Sequence, residues 1–310
     1  MTDEKFYHLP VFKIEATENL VWNKNGIYVD GTLGGGGHAE EILQKISVTG
    51  KLIAIDQDED AINYSKNKFS KYKNQIQFKK SNFSNIKSIL QELSIDKIDG
   101  ILLDLGVSSF QINETSRGFS FMNESKLDMR MDQSADLTAE EILNKYPEKE
   151  LANIFHNFGE VRESNILSKL IVKSREKRKF ESSADLKSLV EKNFKGPFVT
   201  KLLAKIFQSI RIKINNELVV LENCLNNVFP FLNSNGRMVV ISYHSLEDRI
   251  VKNFFNQKAN PKVETNIFSK TNFGIPEIKI ITKKPLIPSE KEIELNSRAR
   301  SAKMRIAEKI

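Results

Sequence analysis

Four short apolar runs, each followed by an amphipathic stretch, fill the first hundred residues. "GIYVDG" precedes "HAEEILQKI", where Ile42, Leu43 and Ile46 share one helical face. "KLIAIDQD" precedes "EDAINYSKNKF", "IQFKKSNF" precedes "NIKSILQEL", and "IDGILLDLGV" is the most apolar run of all. Strands that are apolar on both faces cannot border water. Helices must cover each side, and the connections between parallel strands supply them. The pattern therefore predicts βαβ units in an α/β, doubly wound, mostly parallel sheet.

The pattern changes after Asp136. From Leu137 to Phe198 the signals are helical only, with Thr138–Glu141 and Ser182–Asp185 placed as capping pairs. Strand and helix signals then return: one long helix over "IRIKINNELVVLENCLNNVFPFL", a strand at "GRMVVISYHS" and a helix at "LEDRIVKNFF". "NIFSK" and "IKIITKKP" are expected to pair as terminal strands. The expected organisation is a split α/β domain, residues 1–136 and 199–310, around an inserted all-α domain, residues 137–198. The chain has 310 residues, 40% of them hydrophobic, enough for two cores. It has no secretory leader and no apolar run of about 20 residues, so a soluble cytoplasmic protein is expected. The single cysteine, Cys224, excludes an internal disulfide and reads as a buried thiol inside a helix. The net charge is +7. The last 53 residues hold 12 Lys or Arg against 6 Asp or Glu, so they carry nearly all of the excess. Such a balance points to an anionic partner.

Four glycines, Gly34 to Gly37, follow the first strand. Ligands of open parallel sheets sit at the carboxyl ends of the strands, and glycine lets a ligand lie against the backbone. Gly34, Gly36 and Ala39 satisfy G-x-G-x-x-A, a pattern shared by several nucleotide ligands. Asp56 ends the second strand, where an acid accepts hydrogen bonds from ribose hydroxyls. Asp30, just before the glycines, separates the options. A pyrophosphate avoids a neighbouring carboxylate. S-adenosylmethionine brings an ammonium and a sulfonium instead, and suits one. Asp30 as a turn cap and His38 as a solvated first-turn residue are the structural alternatives. Asp104 closes the fourth strand at the same edge, where a charge is costly without partners or work. The two prolines and aromatic that follow this acid in many nitrogen methyltransferases are replaced by Leu105 and Gly106.

Eight strings occur together in order: "YVDGTLGGGGHAEEIL", "AIDQDEDAI", "DGILLDLGVSSFQ", "RGFSF" with "LDMRMD", "RIKINNEL", "SYHSLEDRIVK" and "NSRARSAKMRIAEK". With them the whole chain resembles the ribosomal RNA small subunit methyltransferase H family, least distinctively between Leu137 and Phe198. The resemblance implies a Rossmann-like class I S-adenosylmethionine-dependent methyltransferase. Its implied target is N4 of a cytidine in the decoding centre of 16S rRNA, on the small ribosomal subunit. It implies that Gly36, Gly37 and His38 form the cofactor loop, that Asp56 meets the ribose, that Phe83 packs on the adenine, and that Asp104 and Gln111 complete the site. No metal is implied. The run of glycines departs from family members that carry Arg or another residue there.

The amino nitrogen of cytosine is a poor nucleophile because its lone pair is delocalised into the ring. An acceptor on its N–H restores the lone pair. Asp104 is the first candidate for that acceptor, with a cofactor-facing role as its alternative. Tyr243 and His244, at the next strand end, are weaker candidates for orienting the base. Asp128, Arg130 and Asp132 alternate in "LDMRMD", as an internal ion-pair network or as an RNA contact. Lys173 to Lys179 hold five bases and one acid, and Arg298, Arg300, Lys303 and Arg305 crowd the tail. Both segments are expected to meet phosphates. An NAD(P)-dependent oxidoreductase is opposed by Asp30. A non-catalytic RNA-binding module would not need both Asp56 and Asp104.

Overall fold

The computed structural model describes residues 10–263 and 272–310. They form two compact units. One holds the described residues up to Gly106 together with Leu218–Ile310, and the other runs from Val107 to Glu217.

The first unit contains, in chain order, α1 (Lys13–Leu20), β1 (Ile27–Asp30), α2 (Gly37–Lys45), β2 (Lys51–Asp56), α3 (Glu59–Lys68), β3 (Ile76–Lys80), α4 (Ile86–Glu92) and β4 (Ile98–Asp104). The second unit contains α5 (Ser109–Asn113), α6 (Ala139–Lys145), α7 (Glu148–Gly159), α8 (Ser164–Arg175), α9 (Ser183–Asn193) and α10 (Val199–Asn215). The chain then continues through α11 (Glu217–Val228), β5 (Leu232–Ser242), α12 (Ser245–Ala259), β6 (Lys262–Val263), β7 (Asn272–Phe273), β8 (Ile278–Ile280), α13 (Glu290–Leu295) and β9 (Lys303–Lys309).

The main sheet has the order β3-β2-β1-β4-β5-β9-β8. The pairs β1–β2, β2–β3, β1–β4 and β4–β5 are parallel, while β9 is antiparallel to both β5 and β8. Order reverses between β1 and β4, and five parallel strands followed by an antiparallel one are the class I methyltransferase arrangement. Alternate residues serve opposite faces. Val29, Ile53, Leu103 and Val240 join α4, α11 and α12 in one core. Tyr28, Leu52, Leu102 and Val239 join α1 and α2 in the other. Both faces being apolar explains why these strands read as continuous apolar runs. Cys224 is fully buried on α11, and burial pushes its thiol pKa up.

The helical unit is wider than residues 137–198. Its core joins Leu127 and Met129 to Leu143, Phe155, Ile171 and Leu186, and also to Ile206, Ile210 and Ile214 on α10. The long helix expected from Ile210 onward is two helices. Asn216 takes a left-handed conformation (φ 49°) and separates α10 from α11 at the unit boundary. The apolar periodicity runs through the break because both helices are buried, each in its own core. Thr138 and Asp185 both cap helices: Thr138 Oγ1 accepts the Glu141 amide at 3.2 Å, and Asp185 Oδ2 accepts the Ser182 amide at 3.0 Å.

The basic C-terminal segment is not a free tail. Residues 303–309 form β9, inside the sheet between β5 and β8. "IKIITKKP" pairs with β9, and "NIFSK" lies outside the described residues. Arg305 is 8% exposed and clamps Asp248 of α12, Nε to Oδ1 at 2.7 Å and Nη2 to Oδ2 at 3.2 Å. Its charge therefore serves the fold and cannot meet phosphate. Arg298 is partly buried, while Arg300 remains exposed. Losing Arg305 leaves Asp248 only Lys303, 3.7 Å away, so the cost approaches that of a broken buried ion pair, about 3–5 kcal/mol. Arg305→Ala should lower unfolding free energy by about that amount in a denaturant titration. A loss below 1 kcal/mol would contradict the structural role.

Candidate functional site

Three carboxylates stand at the carboxyl ends of neighbouring strands: Asp56 on β2, Asp30 on β1 and Asp104 on β4. The glycine loop lies between β1 and α2. Gly36 has φ 72° and is the N-cap of α2, and a Cβ there would lie 2.6 Å from the Phe69 ring. Only glycine takes that backbone at that packing distance. Asp56 braces the loop, with Oδ2 accepting the Gly34 amide at 2.8 Å and Oδ1 the Asp58 amide at 2.9 Å.

Asp30 is completely buried. Its Oδ1 accepts the Thr32 amide at 3.1 Å, and its Oδ2 has no hydrogen-bond partner. Burial raises the Asp30 pKa to about 6, with His38 pulling the other way. Burial also raises Asp56 to about 6 against the pull of the Asp58 and Gly34 amides. The Thr32 contact is the expected turn cap, and it accounts for one carboxylate oxygen while the other stays unmatched. His38 is 4% exposed, so it is not a solvated first-turn residue.

Asp104 is held from three directions. Its amide donates to Thr32 Oγ1 at 2.6 Å. Tyr243, just past β5, donates its hydroxyl to Asp104 Oδ1 at 2.9 Å. His38 Nε2 stands 3.5 Å from Asp104 Oδ2. The Asp104 side chain nevertheless keeps 20% exposure, so a ligand can reach it. Burial, and then the nearby Asp104, raise the Tyr243 pKa well above its ordinary value, which keeps the phenol protonated as a donor.

The model of the MraW methylase family matches residues 5–310. The chain belongs to the MraW methylase family. Among its relatives is the ribosomal RNA small subunit methyltransferase H of Carboxydothermus hydrogenoformans, 45% identical over 309 residues, 99% of each chain. The protein of the same name from Caldicellulosiruptor saccharolyticus is 46% identical over 311 residues, 98% of this chain and 100% of that one. Among solved structures, a putative rRNA methylase from Clostridium thermocellum aligns over 96% of this chain and 95% of its own, with a TM-score of 0.41 and 12% identity.

An MraW-family methylase on a class I sheet takes its methyl group from S-adenosylmethionine, and the residues present fit that cofactor. The unmatched Asp30 oxygen and the acids on β2 and β4 suit a ligand with cationic groups and hydroxyls. They oppose a pyrophosphate. Phe83 opens the turn after β3, its Cβ lies 3.4 Å from where a Cβ on Gly31 would stand, and it packs half-buried against the sheet's core.

Two sequence candidates serve as helix caps. His244 is the N-cap of α12, and its Nε2 lies 3.1 Å from Glu247 Oε1. Gln111 belongs to the helical unit, where its Oε1 accepts the Ser108 amide at 3.0 Å in a capping box on α5. Within "LDMRMD", Arg130 grips Asp128 with two bonds of 2.9 and 2.7 Å, which is the ion-pair reading. Met129 between them takes φ 61°, so this segment is not simply extended. Sequence reasoning missed Thr32, whose amide serves Asp30 while its hydroxyl serves Asp104. Its only sequence signal was a hydroxyl two residues past an acid. It also missed Arg117, buried in the helical unit with Nη2 donating to the carbonyls of Arg130 and Met131.

Asp30 and Asp56 have folded pKa values above the ordinary 3.8. Each therefore stabilises the fold below about pH 4, and that contribution is lost as pH rises through about 6. The ligand-free protein should lose a few kcal/mol between pH 4 and 6.5, at about 1.4 kcal/mol per pKa unit. Asp30→Asn should flatten that slope in denaturant titrations. Affinity for S-adenosylmethionine should move the opposite way, rising through pH 6 as the carboxyls ionise. A pH-independent wild type would refute this account.

Proposed function

We propose that this chain transfers a methyl group from S-adenosylmethionine to the N4 amino group of a cytidine in 16S rRNA, within the decoding centre of the small ribosomal subunit. The observation that carries the reading is Asp104, fixed through Tyr243 and Thr32 yet still reachable. The names of the full-length relatives supply the RNA class.

Gly36, Gly37 and His38 hold the cofactor's amino acid end with Asp30, and Asp56 takes the ribose hydroxyls. Phe83 packs on the adenine. S-adenosylmethionine, when bound, supplies an electrophilic methyl on a cationic sulfur. Asp104 accepts a hydrogen bond from the substrate amino group and draws its lone pair out of the ring. Tyr243 occupies one Asp104 oxygen, and the other, 3.5 Å from His38 Nε2, is the one that aims. The rigid strand ends place the nucleophile in line, about 3 Å from the carbon it attacks. A cytidine inside a helix cannot reach that geometry, so the base is turned out of its stack. His244 contributes as the cap that sets the Tyr243 turn. Exposed Lys173, Lys177, Arg178 and Lys179 of the helical unit neutralise backbone phosphates, with Arg300 from the other unit.

Nitrogen is preferred over ring carbon on a second count. C5 methylation runs through a thiolate, and Cys224 is buried on α11 with its pKa raised. Labelled methyl transfer to small subunits from cells lacking this protein should yield N4-methylcytidine on nucleoside analysis. A C5-methylated pyrimidine as the only product would refute the assignment. Asp104→Asn should reduce kcat by about two decades, the scale of a positioned proton acceptor, and Tyr243→Phe by less. Normal turnover in Asp104→Asn would pass the role to another group.

A further inference from the structure

The start of the described chain is tied to its last fifth at the cofactor loop. Pro10 lies against Gly37, where a Cβ would stand 2.7 Å from the Pro10 Cγ. Two residues on, Phe12 takes a left-handed backbone (φ 55°, ψ 31°) with its side chain 3% exposed. That conformation is a genuine outlier for a bulky residue. Such an outlier persists only where its surroundings over-determine it.

One of those surroundings is Glu292. The Phe12 amide donates to Glu292 Oε1 at 2.6 Å across 280 residues of sequence. Glu292 sits on α13, whose N-cap Ser289 accepts the Glu292 amide at 3.2 Å. The next residue, Ile293, packs with Tyr243 against the core that contains Val11 and Phe12. The Glu292 charge is also among those that raise the Tyr243 pKa. One carboxylate thus joins the Pro10–Phe12 segment to the helix beside Tyr243.

We infer that Glu292 is a positioning residue: it pins Pro10–Phe12 against Gly37, so the glycine loop is held in its binding shape before the cofactor arrives. The inference rests on the S-adenosylmethionine reading for its consequence, though not for its geometry. A loop already ordered loses less freedom on binding, so the pin acts on affinity and not on the chemical step. Glu292→Gln keeps an oxygen acceptor for the Phe12 amide, whereas Glu292→Ala removes it.

The test is amide hydrogen exchange of residues 34–38 in the ligand-free full-length protein, paired with calorimetric titration of S-adenosylmethionine. In Glu292→Ala the loop amides should exchange about tenfold faster and Kd should rise about tenfold, the lower range for a hydrogen bond to a charged group. Labelled methyl transfer at saturating cofactor should keep kcat within about twofold. Glu292→Gln should restore both exchange and Kd. Wild-type exchange and affinity in Glu292→Ala would overturn the inference, as would equal losses in the Ala and Gln variants. If Glu292→Ala does not fold, Pro10→Gly carries the same expectation, and an unchanged loop there is equally decisive. A wild type that binds no S-adenosylmethionine would refute the cofactor reading alone, since the exchange comparison needs no ligand.

Discussion

Strands β1 and β4 run parallel with Asp30 opposite Leu102, and the Gly31 amide closes on the Leu102 carbonyl at 2.9 Å. This pairing splits the sheet, because β2 and β3 extend from one side of it and β5, β9 and β8 from the other. The chain must diverge where the order reverses, and Asp30 and Asp104 end their strands at that divergence. Register there is strict. A slip of one residue would send Val29 and Leu103 to the wrong core and turn Asp30 and Asp104 away from that divergence.

The acids at that edge make a site whose own electrostatics are unfavourable without a ligand. Asp30 lies wholly inside the protein with one oxygen unmatched, and its nearest positive influence is a histidine. Burying a carboxylate this way costs stability unless it takes up a proton. On the proposed reading, a cationic methyl donor at that place would convert the burial cost into binding selectivity. Asp104 differs because its hydrogen bonds come from Tyr243 and from the Thr32 contact to its own amide, and its side chain keeps some exposure. On the proposed reading, one acid holds charge and the other meets the substrate.

Charge in the sequence was a weaker guide than charge in the fold. Arg298, Arg300, Lys303 and Arg305 look alike as a basic run, yet Arg305 is buried on Asp248 while Arg300 is exposed. Within "KMRIAEK" the alternation of Lys303, Met304, Arg305 and Ile306 is a short strand signal that net charge obscures. The same holds for Arg130, whose guanidinium is turned onto Asp128 and not left to solvent.

By itself, the sequence determined what local patterns determine. Apolar runs between amphipathic helices set the parallel sheet, glycines set the loop, and strand-final acids put Asp30, Asp56 and Asp104 at one edge of the sheet. These follow from periodicity and from the steric freedom of glycine, both read within a few residues. Tertiary structure alone decided the contacts that join distant segments. It placed β9 inside the sheet, drew residues 107–136 and α10 into the helical unit, broke the long helix at Asn216 and gave Thr32 to both acids. It also brought Glu292 to Phe12 across nearly the whole chain. No local pattern encodes such pairings, because their stability comes from burial and hydrogen bonding that exist only once the separate segments have met.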